Sequence, residues 1–455
     1  MGSIPFKVNG VIRTCPKASL FAAFRNFGIE GRQPSCNLNN QKSAKKSFLS
    51  GRRIFTEQIF GQSRHKTQQI LCGFASILTK SERKYARENH GSNYSIHLKE
   101  INIMKKKVLV LFGGVSSEHD VSLKSASSVI KNIPTDKYDV VKMGITKDGR
   151  CFIYSGDADM LPGGKWLEDS ANLENAVISN DRSHHGIIHL SNGEIEKIDV
   201  VFPVLHGKNG EDGTMQGLLE IAGLPYVGCD TAASAVCMDK ALTNAMADYY
   251  SIPQAKWASL HKFFYYENPD EQLEAVIEKL GFPIFVKPAK AGSSVGISKA
   301  KTAQELKDAC DKAFEHDDKI VLEEGITGVE VEVAVMGNEN PVASVVGEVV
   351  PCNEFYDFDA KYLANESELH IPARLPEDKL RDIQKAAVNA YKALGCSGFT
   401  RVDFFVREGD GEIMLNEPNT IPGFTSISMY PKLFAASGIP YSELLDKLLT
   451  FAMER

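Results

Sequence analysis

The stretch that most constrains this chain is Glu412-Ile413-Met414-Leu415-Asn416-Glu417-Pro418-Asn419-Thr420-Ile421-Pro422-Gly423-Phe424-Thr425-Ser426. Read as a strand, its alternation puts Glu417 and Asn419 on one face, two residues apart. A carboxylate and an amide oxygen held that way are hard oxygen ligands of the kind Mg²⁺ takes. Just upstream, Phe399–Phe405 reads as a second strand, with Arg401 and Asp403 sharing one face and Val402 and Phe404 the other. Side by side, the two strands would offer three oxygen ligands and a guanidinium to one spot. The Pro422-Gly423 turn that follows can aim backbone N–H groups at the same place. Two edge strands with solvated charges are the bland alternative, and they leave this order of charges and aromatics unexplained. The pattern predicts a metal-phosphate site.

Length and composition bound the rest. A chain of 455 residues has room for two or three domains and an ample core. With 43% hydrophobic and 24% charged residues it has an ordinary globular composition. No apolar run approaches the ~18 residues of a membrane-spanning helix. Nine cysteines are scattered without a Cys-x-x-Cys pair, which predicts buried or free thiols in a reducing compartment. The net charge of −6 conceals an asymmetry. Residues 1–103 carry 17 Lys and Arg against 5 Glu and no Asp, a net +12, so residues 104–455 carry −18. The boundary falls at Met104-Lys105-Lys106-Lys107, which runs into an apolar Val108–Phe112. Three readings of the extension stay open: translation that begins at Met104, which leaves residues 1–103 non-native or disordered; a cleaved organellar targeting segment; and a basic arm for nucleic acid.

From Met104 onward the chain reads as an open α/β unit. Lys107–Phe112 is a strand ending in Gly113-Gly114, and a helix is expected from the Ser116–Ser122 region to about Ile130. Asp139–Ile145 is a second strand, whereas Lys147–Ile195 reads as loop-rich. The apolar Asp199–Val204 strand delivers His206-Gly207-Lys208-Asn209-Gly210-Glu211-Asp212-Gly213, which with Glu118 on a parallel loop of the same sheet edge suits a ligand. Met238-Asp239-Lys240 precedes a helix. Gly281–Pro288 is a buried strand ending in Lys287, placed for a phosphate. The loop Ala291-Gly292-Ser293-Ser294-Val295-Gly296-Ile297 can fold over a triphosphate, although it has neither the Walker nor the dinucleotide spacing. Lys319–Leu322 and Glu330–Val335 are strands, and Glu323 and Glu324 lie at the junction between them. Phe355–Tyr362 is an aromatic-charged loop, long enough for a lid. Pro376–Leu394 and Tyr441–Met453 are closing helices.

Taken together, Gly113-Gly114, Glu118, Val121-Ser122, His206-Gly207, Gly210–Gly213, Met238–Lys240, Lys287-Pro288, Gly292–Gly296, Lys361-Tyr362, Arg401–Asp403, Asn416-Glu417, Asn419 and Pro422-Gly423 resemble the D-alanine–D-alanine ligase family of ATP-grasp enzymes. The resemblance covers residues 104–455 in order and none of 1–103. It implies an α/β chain with an ATP-grasp fold behind an N-terminal, Rossmann-like open α/β domain. The expected bounds are 104–229 for that domain, 230–322 for the central lobe and 323–455 for the C-terminal lobe. It also implies the reaction: one D-alanine carboxylate is phosphorylated by ATP, and the amine of a second attacks the acyl phosphate to give D-alanyl-D-alanine for peptidoglycan precursors.

The resemblance carries roles residue by residue. Asp403, Glu417 and Asn419 would hold Mg²⁺ or Mn²⁺, as two ions. Lys240 and Lys287 would contact the α/β-phosphates, with Ser294 of the loop also at the nucleotide and Lys361 in the lid at the γ-phosphate. Glu323, Ile326 and Glu330 match adenine and ribose positions. Glu118 would bind the first ammonium, tied to Ser293 and Tyr362, with His206 close by. Arg401 and the Gly423 N–H would stabilise the oxyanion, and Ser428 would hold the second carboxylate. The alternative product is D-alanyl-D-serine, since Trp166–Ser170 and Leu394–Gly398 resemble the serine-type ligases of vancomycin resistance. Met429, which stands where those enzymes commonly carry an arginine, suits a methyl group and favours alanine. The resemblance further implies a cytoplasmic bacterial homodimer with small-molecule substrates and no nucleic-acid or membrane partner.

Overall fold

The computed structural model describes residues 4–8, 11–15, 105–350, 368–425 and 427–455. The chain divides into two compact units, Met1–Asn102 and Ile103–Arg455. The described part of the first is an antiparallel hairpin of β1 (Ile4–Val8) and β2 (Val11–Cys15).

The second unit opens with a seven-stranded sheet. β3 (Lys106–Gly113) pairs in parallel with β4 (Tyr138–Ile145) and with β9 (Val200–Pro203). Its apolar run is buried on both faces, as a central parallel strand requires. Val108, Val110 and Phe112 pack with Leu123, Ala126 and Val129 of helix α1 (His119–Asn132), whereas Leu109 and Leu111 pack with Leu219 of α2 (Thr214–Ala222). Residues 147–195 are not loop-rich. They add β5 (Cys151–Tyr154), β6 (Leu173–Ile178), β7 (Gly186–His189) and β8 (Ile195–Lys197) as successive antiparallel neighbours beyond β4. These strands are only three to six residues long and half-exposed, so they lack the hydrophobic period that identifies a strand. Trp166, which follows β5, is fully buried edge-on to Phe112 and Tyr154.

Two helices lead to the next sheet, α3 (Thr231–Met238) and α4 (Lys240–Tyr249). The Asp239 carboxylate between them caps α4 by accepting from the Ala241 and Leu242 N–H groups. Then come β10 (Trp257–His261), α5 (Lys262–Glu267), α6 (Pro269–Leu280), β11 (Ile284–Pro288), β12 (Ser298–Ala300), α7 (Ala303–Ala313) and β13 (Lys319–Glu324). The strands form an antiparallel sheet in the order β10-β13-β11-β12, with the helices covering its apolar face.

A five-stranded antiparallel sheet closes the chain, in the order β16-β15-β14-β17-β18. Its strands are β14 (Gly328–Met336), β15 (Val342–Val350), β16 (Glu368–His370), β17 (Phe399–Arg407) and β18 (Ile413–Asn419). Val331, Val333, Val335, Val402, Phe404 and Leu415 bury one face against α8 (Glu377–Ala393). Two more helices follow, α9 (Met429–Ala436) and α10 (Tyr441–Met453). Among the described residues no helix is long and apolar enough to cross a membrane.

The cysteines gather more than their spacing suggests. Cys237 and Cys396 lie with Sγ atoms 3.7 Å apart, and the buried Cys229 thiol sits against Thr400 at 3.3 Å. Cys151, Cys229, Cys237, Cys310 and Cys396 are free thiols.

Candidate active site

The polar face of the last sheet is where the constraining stretch acts. In the antiparallel register of β17 with β18, Asp403 lies opposite Glu417 and Arg401 opposite Asn419. Strict alternation would send Leu415 to the same face as Glu417, yet Leu415 is buried in the opposite core. The register shifts between Asp403 and Phe404, leaving Asn416 as the extra residue. This bulge changes the phase of β18, so that 413 and 415 face the core and 417 and 419 face the site. Pro418 is tolerated because β18 is an edge strand.

Arg401 organises the charges on that face. Its Nε donates to Asp403 Oδ1 at 2.7 Å and its Nη2 to Asp403 Oδ2 at 2.6 Å. Nε also lies 3.1 Å from Glu332 Oε2. Burial pulls the guanidinium's pKa down, but Asp403, Glu332 and Glu417 outweigh it and hold Arg401 firmly protonated. Glu332 is a site residue that the sequence reading passed over. On β14 it sits directly across from Asp403, and the Glu330-Val331-Glu332 alternation was the available signal.

Two carboxylates and an amide, Asp403, Glu417 and Asn419, therefore share one patch. Among the described residues no three His, Cys, Asp or Glu side chains gather as a metal site; here the third oxygen comes from an amide. Asn419 Oδ1 is buried without a hydrogen-bond partner. A buried amide oxygen left unpaired is costly unless a cation or donor completes it. The donor set fits a hard divalent cation.

The residues that the resemblance puts at the nucleotide cluster around β11 and β13. Lys287 Nζ lies 2.6 Å from Glu323 Oε2, and Asn244 Nδ2 donates to Glu323 Oε1 at 3.1 Å. Burial pulls the Lys287 pKa down, but Glu323, Glu417 and Glu330 together raise it, so the ammonium keeps its charge. Glu323 is thus committed to a lysine as well as standing where the resemblance puts the nucleotide. Ile326 lies in the turn between β13 and β14, and Glu330 on β14. Lys240 starts α4, and its Nζ donates to the Ala291 carbonyl at 2.9 Å, at the edge of the Ser-rich loop. In that loop Ser293 and Ser294 hold successive left-handed φ values of 50° and 60°. Non-glycine residues adopt that region at a cost, and such conformations cluster at ligand sites.

Glu118, at the N-terminus of α1, accepts from the Ser293 hydroxyl. Its carboxylate also packs so closely on Gly207 that a side chain there would overlap it. Two of the three partners expected at the first ammonium are therefore together. The third, Tyr362, lies outside the described residues, as do Lys361 and the whole lid segment 355–362. His206 is buried beside Glu118 with Nδ1 3.0 Å from the Ile421 carbonyl. Ser428 precedes α9 and turns back on the glycine turn: its Oγ accepts from the Thr425 N–H at 3.1 Å, and a Cβ on Gly423 would come within 2.8 Å of it. Met429 is buried, with its thioether end against Gly347 and Leu433 nearby.

Glu211 belongs to the stretch that the sequence offers to a ligand, without a role of its own there. It accepts from the Gly207 N–H at 2.6 Å, and its pKa is pushed up to about 8 by burial first and by the Glu118 carboxylate second. The native state thus holds a proton that the unfolded chain releases near the ordinary carboxylate value. This contribution to stability is full below pH ~4.5 and is lost as pH rises through about 8. Urea midpoints at pH 5, 6.5 and 8 should fall with pH in the native protein, and Glu211→Gln should flatten that slope. Equal slopes in the two proteins would refute the assignment.

Two antiparallel sheets, with Lys287 on one and the oxygen ligands on the other, are the ATP-grasp arrangement. Family models place the particular branch. The model for the N-terminus of D-ala D-ala ligase matches residues 107–229, and that for its C-terminus matches residues 246–450. A D-alanine–D-alanine ligase of Acetivibrio thermocellus is 51% identical over 363 residues, covering 77% of this chain and 96% of the relative. That of Caldicellulosiruptor bescii is 48% identical, with 77% and 96% covered. Among solved structures, the VanG D-Ala:D-Ser ligase of Enterococcus faecalis is 45% identical with a TM-score of 0.71, covering 77% of this chain and 100% of that one. The D-alanine–D-alanine ligase of Coxiella burnetii is 34% identical with a TM-score of 0.67, covering 77% and 96%. The chain belongs to the D-alanine–D-alanine ligase family.

Proposed function

We propose that this protein joins two D-alanines at the expense of ATP, through a D-alanyl phosphate, to supply D-alanyl-D-alanine for peptidoglycan precursors. The observation that carries the reading is the register that sets Asp403 opposite Glu417 and Arg401 opposite Asn419, within one compact unit that also holds the Glu118–Ser293 bond.

Residues of the chain divide the work. Lys240 and Lys287 hold the phosphates of ATP, and Glu323, Ile326 and Glu330 receive the adenosine, with Ser294 at the loop over it. Glu118, steadied by Ser293, fixes the ammonium of the first D-alanine, which points its carboxylate at the γ-phosphate. Asp403, Glu417 and Asn419 hold Mg²⁺ or Mn²⁺, as two ions, which when bound neutralise phosphate charge during transfer. Arg401 and the Gly423 N–H meet the oxyanion as the second amine attacks the acyl carbonyl. The second carboxylate sits on Ser428 at the N-terminus of α9, where the helix dipole favours a negative charge. The lobes would divide as 104–229 for the amino acid, 230–322 for the nucleotide and 323–455 for the metal. A cytoplasmic homodimer, with no nucleic-acid or membrane partner, completes the reading carried over from the family.

The likeness to VanG favours a second reading in which D-serine is the second substrate. Against it, Met429 brings no polar group to the start of α9 for a serine hydroxyl. Phosphate release by the full chain with ATP, Mg²⁺ and D-alanine, alone or with equimolar D-serine, tests both. We expect D-alanyl-D-alanine to dominate both mixtures by mass. A dominant D-alanyl-D-serine would transfer the enzyme to the second reading, and the absence of turnover with either amino acid would remove both.

A further inference from the structure

The Pro422-Gly423 turn has no regular secondary structure of its own, yet the aim of its N–H matters if Gly423 stabilises an oxyanion. Its flanks are held by one chain of hydrogen bonds. His206 Nδ1 lies 3.0 Å from the Ile421 carbonyl, an acceptor only, so Nδ1 carries the proton and donates. His206 Nε2 is then the acceptor, and Ser125 Oγ lies 2.9 Å from it. The same Ser125 oxygen accepts from the Phe424 N–H at 3.4 Å. The sequence of donors is thus Phe424 N–H to Ser125 Oγ, Ser125 O–H to His206 Nε2, and His206 Nδ1–H to Ile421 O. It leaves the turn through Phe424 and re-enters through Ile421, so Pro422 and Gly423 are enclosed between two fixed points.

We propose that Ser125, acting through His206, is a positioning residue that clamps the Pro422-Gly423 turn from both sides and so aims the Gly423 N–H. The inference rests on the oxyanion role of that N–H in the proposed reaction. Water cannot replace the clamp, because Ser125 and Phe424 have no exposed surface and His206 retains 5%. Burial also pushes the His206 pKa down against the pull of Glu118, which suits the neutral ring that the hydrogen bonds require.

The helix that carries Ser125 gives the clamp its reference point. Glu118 stands at the N-terminus of α1, and Ser125 is seven residues further on, two turns along the same face and about 10 Å along the axis. One turn before Ser125, the Ser122 hydroxyl accepts from the Gly113 N–H at 2.8 Å and donates to the Val204 carbonyl, which locks the helix to β3 and β9. A single rigid helix thus sets the spacing between the carboxylate for the first ammonium and the turn over the acyl carbon. That spacing is what phosphorylation of a carboxylate oxygen, followed by amine attack on the carbon that bears it, demands.

Ser125→Ala in the full chain, which removes one oxygen, tests this. The expected result is a kcat about 10- to 100-fold lower with the KM for ATP within about twofold. Affinity for a phosphinate mimic of the tetrahedral intermediate should fall by the same factor, and Ser125→Thr, which keeps the hydroxyl, should recover most of the kcat. An unchanged kcat, a fall in Tm and kcat with a parallel rise in the KM for ATP, or a folded threonine variant as slow as alanine would each overturn the proposal. Nitrogen-15 spectra of the unmutated protein give a check that needs no variant to be active. His206, identified by the signal lost in His206→Asn, should be a neutral ring protonated at Nδ1; protonation at Nε2 alone would overturn the clamp. An inactive unmutated enzyme would strike the proposed function instead, leaving the spectrum to judge the clamp.

Discussion

Arg401→Ala is expected to lower turnover by on the order of 10²- to 10³-fold and to destabilise the fold by about 3–5 kcal/mol. Both effects have one origin. Arg401 holds the Asp403 carboxylate in a two-pronged grip at 2.6 and 2.7 Å and lies 3.1 Å from Glu332, and all three side chains are largely buried. Deleting the guanidinium leaves two enclosed carboxylates facing each other across neighbouring strands, with Glu417 close by. Removing one partner of a buried ion pair is more damaging than never having formed it, because the remaining charge stays without water or counter-ion. Arg401→Lys separates the two effects. A lysine restores a positive charge but not the planar fork, so most of the stability should return while turnover stays at least about tenfold low. Urea midpoints and phosphate release measured on both variants decide it. An alanine variant as stable and active as the parent would show that Arg401 neither braces the carboxylates nor serves the reaction.

The same patch shows what was legible in the sequence. Residues with a strong period were read correctly: Arg401 and Asp403 do share a face, and so do Glu417 and Asn419. The bulge at Asn416 could not be read, because one extra residue in a strand has no compositional mark, yet it alone reconciles a buried Leu415 with a site-facing Glu417. Glu332 escaped for a different reason. Its alternation with Glu330 marks a polar face, but its partner Arg401, 69 residues away in sequence, is brought to it only by the β14–β17 pairing. Ser125 escaped likewise: a serine in a helix looks neutral until its full burial shows that it must bond. Glu211 was legible as part of a stretch suited to a ligand, whereas its proton was not, because that depends on the Glu118 carboxylate brought beside it by the fold. The short strands between 151 and 197 were lost because half-exposed segments of three to six residues have no period long enough to detect. Motif chemistry is local and survives in sequence, whereas pairing across strands does not.

Lys287→Met should raise the KM for ATP about 10- to 100-fold, as expected for the loss of a charged hydrogen-bond donor to phosphate, and should also cost about 3–5 kcal/mol of stability. The stability loss comes from Glu323, which is left with Asn244 as its remaining polar partner of those described here at 3.1 Å, deep between β11 and β13. That attribution can be isolated. In Lys287→Met with Glu323→Leu the stranded carboxylate is gone, and apolar replacements of a buried ion pair are often neutral or stabilising. The double variant should therefore regain most of the midpoint in urea. Its ATP binding should not recover, since the ammonium proposed to meet the phosphates is still missing and the proposed nucleotide contact of Glu323 is lost as well. Recovery of stability without recovery of ATP affinity would mean that the lysine serves the substrate while the glutamate holds it in place. Recovery of both would mean that the pair is structural and that the phosphates are held elsewhere, leaving Lys240 as the only described lysine in that role. Recovery of neither would place the damage in packing around β11 and not in charge.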